Sequence, residues 1–448
     1  MISRCSVNRF MDIASALLKF SLPLIFSGIL QQLYNWADAF IVGNVEGELA
    51  LAAIGATTTV VNFYVTAITG FTLGVSIFIA QQYGSGERAF ISTILSTFSI
   101  FLGCIFLVLS GLGIFFTHPL LLLLHTTADT IILAKEYLQI IFLGIPFLAV
   151  YNVYSAALRG IGDSKAPFYS VLLSSIVNVI LDIVFVAFFQ WHVAGAAIAT
   201  VISQVAMTVY LIIYSIRKYH ILRFPVNKIA FDKKILIHGC RFGIPPMLQS
   251  SVSSIGSLIL QNFMNGFGTA TVAAVTTAYR VDSIVLVPII NLGSGISTLV
   301  AQDYGSRQLK KAKKNLAVGT GIMVIVSLLL TAIVISVGGN LIAIFGAGQQ
   351  VITIGDNFFR RIASFYLIYG LATAIRSYLE GVGDVVYSSF AGIVSLISRI
   401  IASYTLVAIF SNMVIAYAEA FSWIVLLLLY IIRMVWINRK MKESNTPM

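Results

Sequence analysis

Runs of about twenty apolar residues recur from one end of this chain to the other, each long enough to cross a hydrocarbon layer about 30 Å thick as a helix rising 1.5 Å per residue. Read against glycine, asparagine and charged breaks, they fall near 15–43, 51–80, 92–116, 131–157, 166–190, 193–217, 238–265, 271–302, 316–338, 354–379, 387–410 and 413–437. In lipid every backbone polar group must find its partner within the chain, so such runs are helices and the fold class is an all-α integral membrane protein with 12 transmembrane helices. Of the 448 residues, 58% are hydrophobic and only 10% are charged, with a mean hydropathy of +0.95. Soluble domains carry roughly 25% charged residues, so no room remains for one here. Arg4 and Arg9 precede the first run as in a secretory signal, but that run continues past Pro23 to Gly43, too far for a signal core.

The net charge of +11 does not point to nucleic acid, because the basic residues sit in short loops between apolar runs rather than on one polar face. All but five of the 28 Lys and Arg, namely Lys135, Arg280, Arg360, Arg361 and Arg399, fall on or beside one side of the predicted topology. That asymmetry predicts both termini in the cytoplasm, in a cell inner membrane. Cys5, Cys104 and Cys240 have no close spacing, which argues against a zinc site or a disulfide framework.

The chain repeats itself. IAQQYGS at 79–85 returns as VAQDYGS at 300–306, and GIGD at 160–163 returns as GVGD at 381–384, both 221 residues on. SLP at 21–23 returns as GIP at 243–245, one residue out of that register. Two pseudo-symmetric six-helix bundles follow, 1–217 and 238–448, joined by a cytoplasmic linker at 218–237 that contains His220, Pro225 and Asn227. An even number of spans per half makes the repeats parallel, the arrangement of two lobes about a central cavity, and the chain is expected to work as a monomer.

Asp38, Asp182 and Asp282 lie inside apolar runs, where a carboxylate costs roughly 2.5–3.5 kcal/mol or more unless it is paired, protonated or bound to a cation. Counted from the outer helix ends, Asp38, Asp182, Thr200 and Arg280 share a layer roughly 9–14 Å deep. Asn178 is one turn before Asp182, and Tyr34 and Gln31 are one and two turns before Asp38, each on its partner's face. The first, fifth and sixth spans therefore converge on one polar pocket. Two carboxylates in a low-dielectric site cannot both ionise freely, which suits a proton carrier. The same pair with the Asn178 amide oxygen and the Thr200 hydroxyl offers hard oxygen ligands that suit sodium, and residue type serves either. At the repeat offset Asn178 maps to Arg399, Asp182 to Ser403, and Asp38 to apolar Ile259. The coupling chemistry is thus expected in the first half alone. Arg280 and Asp282 point roughly 200° apart on their helix and need separate partners; either one facing a cavity would meet substrate. Glu419 reads as interfacial. The segment Gly160–Lys165 lacks a phosphate-loop pattern, no cofactor is implied, and no reactive constellation of an enzyme can be picked out.

LPLIFSGILQQLYNWADAFIVGNVEGELALAAIGA at 22–56, the AQQYG/AQDYG pair, ALRGIGDSKAP at 157–167 and SIVNVILD at 175–182 resemble the multidrug and toxic compound extrusion (MATE) family, over essentially the whole chain. The resemblance implies two six-helix bundles around a V-shaped cavity, and antiport of cationic or amphipathic organic compounds against an inward proton or sodium gradient. Carried over residue by residue, Asp38, Asn178, Asp182 and Thr200 match the proton or cation site of the DinF-like prokaryotic branch, with Tyr34 and Tyr137 beside it. Gln31 and Asn152 match substrate contacts there, joined by Tyr34. The chain departs from the NorM-like branch, which carries acidic residues in the membrane parts of its seventh and tenth spans; here the tenth has only Asp356 and Glu380, near its ends. Protons are favoured over sodium. The nearest rival is a lipid or oligosaccharide-lipid flippase of the same superfamily, which would line its cavity with several cationic side chains; Arg280 and Arg399 are the two available.

Overall fold

The computed structural model describes residues 2–224, 231–345 and 348–443, with the side chains of 2–9, 39 and 441–443 left out. The side chains of Arg4, Cys5, Arg9 and Lys442, and the linker residues Pro225 and Asn227, therefore lie outside the described residues. In chain order the helices are α1 (Ile2–Val45), α2 (Glu48–Ser85), α3 (Arg88–Phe115), α4 (Thr117–Leu123), α5 (Ile131–Gly160), α6 (Lys165–Asp182), α7 (His192–Lys218), α8 (Lys233–Asn265), α9 (Thr269–Val285), α10 (Val287–Gly305), α11 (Leu309–Ala343), α12 (Gln349–Ala363), α13 (Tyr366–Gly381), α14 (Val385–Thr405), α15 (Val407–Phe410) and α16 (Val414–Glu443). Among the described residues there is no strand. Among the described residues ten spans are long and apolar enough to cross a membrane, and the α12–α13 pair supplies an eleventh. Helix α8 carries Pro245 and Pro246 and is rich in serine and glutamine; as the repeat counterpart of α1 it completes the twelve. Large apolar side chains such as Phe115, Leu123, Ile132 and Phe188 stand exposed, as expected where the solvent is lipid.

Three spans depart from the straight helices expected. The run at 271–302 is two helices, α9 and α10, because Pro288 lacks an N–H and crowds the turn before it. The run at 354–379 bends by 47° between α12 and α13. Helix α6 stops being α-helical at Asp182 and continues as a π-helical turn, Ile183–Phe188. Gly195 of α7 makes room for that turn: a Cβ there would stand 3.1 Å from the Phe185 backbone.

The chain forms two compact units, one of residues 26–247 and one of residues 1–25 with 248–448. Helix α1 changes unit two residues after Pro23, and α8 changes unit just after Pro245–Pro246. The packing explains the exchange. In the first unit the carbonyl of Phe242 on α8 comes so close to Gly74 of α2 that a Cβ would clash with it, while Gly239 and Gly243 seat against Phe98 and Phe71. In the second unit the side chains of Ser21 and Leu17 of α1 press on Gly295 of α10. Gly74 and Gly295 are repeat mates, and Phe242 and Ser21 lie at neighbouring positions of the repeated helix. In lipid, helices are held by van der Waals contact at such small residues rather than by the hydrophobic effect.

The GIGD and GVGD segments form matching clamps at the ends of the fourth and tenth spans. Gly162 and Gly383 adopt φ of 96° and 95°, left-handed conformations that glycine takes without steric cost. The aspartate that follows captures the far helix of its own half. Asp163 accepts hydrogen bonds from Tyr219 (2.8 Å), Tyr214 (3.0 Å) and Lys218 (3.2 Å), and from the Lys165 and Ala166 amides (3.0 and 3.2 Å). Asp384 takes a two-pronged contact from Arg433 (2.6 and 3.1 Å), whose guanidinium lies over Tyr387 and Trp436.

Burial pushes the Asp163 carboxyl up, but the bonds from Tyr219, the Ala166 amide, Lys218 and Tyr214 outweigh it and hold the group below the usual carboxylate range. A depressed folded-state value stabilises the fold at pH above the unfolded carboxylate's titration, and the benefit is lost as pH falls through the folded one. Asp163→Ala is therefore expected to cost about 2 kcal/mol at pH 7. The gap to the parent in thermal unfolding should close below about pH 4; a gap that persists in acid would refute the clamp.

Candidate functional site

The C-terminal part of α1, the end of α6, the N-terminal part of α7 and the first turns of α5 bring one polar cluster together within the unit 26–247. Asn178 and Asp182 are fully buried at 0% exposure, one turn apart, where α6 gives way to its π turn. Such turns redirect side chains and are common at functional sites. Tyr137 of α5 and Thr200 of α7 are buried beside them, whereas Tyr34 and Asp38 of α1 are half-buried. The carboxyl groups of Asp38 and Asp182 are within hydrogen-bonding reach of each other, and both interact electrostatically with the phenols of Tyr34 and Tyr137.

Neither oxygen of Asp182, neither side-chain polar atom of Asn178 and not the Oδ1 of Asp38 has a hydrogen-bond partner in the protein. An unpaired buried polar atom costs about 1–3 kcal/mol, so a cluster of five calls for a ligand of its own. The Thr200 hydroxyl donates to the Ala196 carbonyl (3.0 Å), which leaves its oxygen free to accept. One turn on, Gln204 Oε1 is also buried without a partner. Sequence reasoning missed it, although its spacing from Thr200 is the signal used for Asn178 and Asp182. Toward the C-terminal end of α1 the cluster is roofed by Val42, Ala50, Ile141, Val186, Val193, Ala196 and Ala197. Beyond that roof His192 Nδ1 and Glu46 Oε2 meet at 2.6 Å and tie the end of α1 to the start of α7.

The other predicted residues fall as follows. Asn152 is buried on α5 and donates to the Leu148 carbonyl (2.9 Å), and Gln31 is exposed on α1. In the second unit Arg280 is exposed, whereas Asp282 is buried and accepts a hydrogen bond from Tyr366. Glu419, expected at the interface, is buried and ion-paired with Arg399 at 2.9 Å. Arg399, repeat mate of Asn178, thus has a fixed partner. Among the described residues no group of three His, Cys, Asp or Glu could hold a metal ion.

A polytopic helical protein with buried carboxyl groups deep in its spans has the interior of a membrane transport protein. The MatE family model matches residues 23–184 and again 245–405, one match per half, and the chain belongs to that family. It is 26% identical over 430 residues, 93% of each chain, to the probable multidrug resistance protein YoeA of Bacillus subtilis. It is 25% identical over 377 residues, 83% of this chain and 82% of the other, to the multidrug export protein MepA of Staphylococcus saprophyticus. Among solved structures, a MATE crystal structure in the bent conformation superposes with a TM-score of 0.90 at 20% identity, covering 97% of this chain and 98% of that one.

Unpaired buried groups kept for function lower stability. Asp182→Leu, which replaces two partnerless oxygens by methyl groups on the same branched skeleton, should raise the thermal unfolding midpoint in detergent, by about 1 kcal/mol or more. A clear fall in the midpoint would mean that Asp182 holds the fold together instead.

Proposed function

We propose that the protein is a multidrug exporter that drives cationic or amphipathic organic compounds out of the cell in exchange for protons, with Asp38 and Asp182 as the exchange site. The observation that carries this reading is the buried carboxyl pair without protein donors. Carboxylate oxygens only accept, so contact between two carboxyl groups becomes a hydrogen bond only when one of them holds a proton. The pair therefore keeps one proton, and an organic cation that approaches Asp38 makes its release favourable. Gln31, Tyr34 and Asn152, on the same two helices as Asp38 and Tyr137, are the proposed substrate contacts. Each proton entering down one pH unit supplies about 1.4 kcal/mol, and about 2.3 kcal/mol more for every 100 mV of membrane potential. The names of the relatives YoeA and MepA support the substrate class. An anionic pocket suits a cationic compound better than the phosphate headgroup of a flippase substrate. The proposed setting is the cell inner membrane, with both termini cytoplasmic and the protein acting as a monomer.

Sodium is the second reading, favoured by the partnerless Asn178 oxygen, which with Thr200 and the two carboxylates would complete an oxygen cage for a monovalent ion.

Ethidium transport in proteoliposomes, driven separately by a pH gradient and by a sodium gradient, tests both. Asp38→Asn should abolish gradient-driven export while the protein stays folded, and normal export by this variant would sink the assignment. Under proton coupling Asn178→Ala and Thr200→Ala should reduce export no more than severalfold. Under sodium coupling they should abolish it, because they remove ligands of the ion itself.

A further inference from the structure

The second half was expected to carry no coupling chemistry, yet it encloses a charged cluster of its own. Asp282 on α9, Arg399 on α14 and Glu419 on α16 are 4% exposed, 19% exposed by side chain, and 9% exposed respectively. Glu419 is well provided for: Arg399 Nη2 donates to its Oε2 at 2.9 Å, and the Tyr279 hydroxyl donates to the same oxygen at 3.0 Å. The guanidinium also donates to that hydroxyl, at 2.7 Å. Asp282 receives one neutral donor, the Tyr366 hydroxyl of α13, while Arg399 and Glu419 both act on it through space.

Two carboxyl groups and one guanidinium leave one negative charge over. The surrounding elements do not supply its counter-charge. Arg376 on α13 is bound to Glu380, Arg360 on α12 to Asp356, and Arg433 on α16 to Asp384. Arg361 is turned to Asn357 of its own helix. Arg280, two residues before Asp282, is exposed and points roughly the opposite way around α9. On α10 and α11 the charged groups are confined to the other end, where Lys311 pairs with Asp303. An uncompensated buried carboxylate is costly, and the group of that kind either binds a cation or takes a proton. A metal cation would sit beside the Arg399 guanidinium and be repelled by it.

We propose that Asp282 is a second protonation site, a buried carboxyl in the C-terminal half that takes up and gives up one proton independently of the Asp38–Asp182 pair. Its proton neutralises the odd charge of the cluster, and its loss is tolerated through the hydrogen bond from Tyr366. The two sites are built differently: where the first half has Asn178 the second has Arg399, and its acids stand on α9 and α16.

A reporter is built in. The Trp423 indole lies 4.9 Å from the Tyr369 ring and 6.2 Å from the Tyr366 ring, so a change in the bond between Tyr366 and Asp282 alters its surroundings. The experiment uses the full-length chain in detergent with Trp36, Trp191 and Trp436 changed to Phe, and follows Trp423 emission from pH 4 to pH 9. A single sigmoidal transition is expected, absent in Asp282→Asn and retained in Asp38→Asn. Tyr366→Phe, which keeps the ring and every charge, should move the midpoint about one unit to higher pH, since it removes the donor that favours the ionised carboxyl. Should Asp282→Asn not fold, that shift is the deciding measurement. Emission that is flat with pH, a transition that survives Asp282→Asn, or an unmoved midpoint in Tyr366→Phe overturns the proposal. So does loss of the transition in Asp38→Asn, which would assign the signal to the first half; failure of the first-half exchange site leaves the second-half outcome unaffected.

Discussion

A lipid interior offers a polar atom neither a hydrogen bond nor dielectric screening, and most of this protein follows from that. Backbone groups are satisfied by helices because nothing else in the layer can satisfy them. Apolar side chains face outward without cost, so burial cannot drive the helices together, and close contact at small residues does so instead. Gly74 against Phe242 and Gly295 against Ser21 show how tight that contact becomes. In such a setting a charge has only a few fates. Asp163 and Asp384 lie at helix ends and are saturated with donors, Glu419 is paired with Arg399, and Asp182 is left with none. The last condition is the expensive one, and it coincides with the site to which transport is assigned.

The spans and the duplication were legible in the sequence for the same reason. Hydropathy reports the solvent directly, and a 221-residue offset preserved in two motifs survives divergence elsewhere. The alignment of Asn178 with Asp182, and of Tyr34 with Asp38, needed only helical spacing. What stayed hidden depends on neighbours rather than on spacing. The π turn after Asp182 owes its place to the room at Gly195. The depth of Glu419 was misjudged because distance from a helix end says nothing of what packs over it; Tyr279 and Arg399 come from two other helices. Gln204 carried the right spacing but no charge, and went unnoticed.

Duplication left the mechanical parts alike and the chemical parts different. The left-handed glycines, the aspartate clamps and the glycine seats recur in both halves. The polar interiors do not: a carboxyl pair with an amide stands in one, an arginine with its acid and two tyrosines in the other. Packing contacts constrain each other through shape and resist change one residue at a time. A buried polar group answers only to its few partners, so a set of them can be exchanged together.

The exchange of helix segments at Pro23 and at Pro245–Pro246 bears on how the protein is made. A ribosome releases the chain from its N-terminus, and the first unit, residues 26–247, is complete once α8 has begun. The second unit is not contiguous: it needs residues up to Ile25, which emerge first, and Gly295 on α10, against which Ser21 packs, which emerges much later. For the whole interval the opening stretch of α1 has no permanent neighbour. Insertion therefore brings early residues to rest among ones made much later, across the whole first unit.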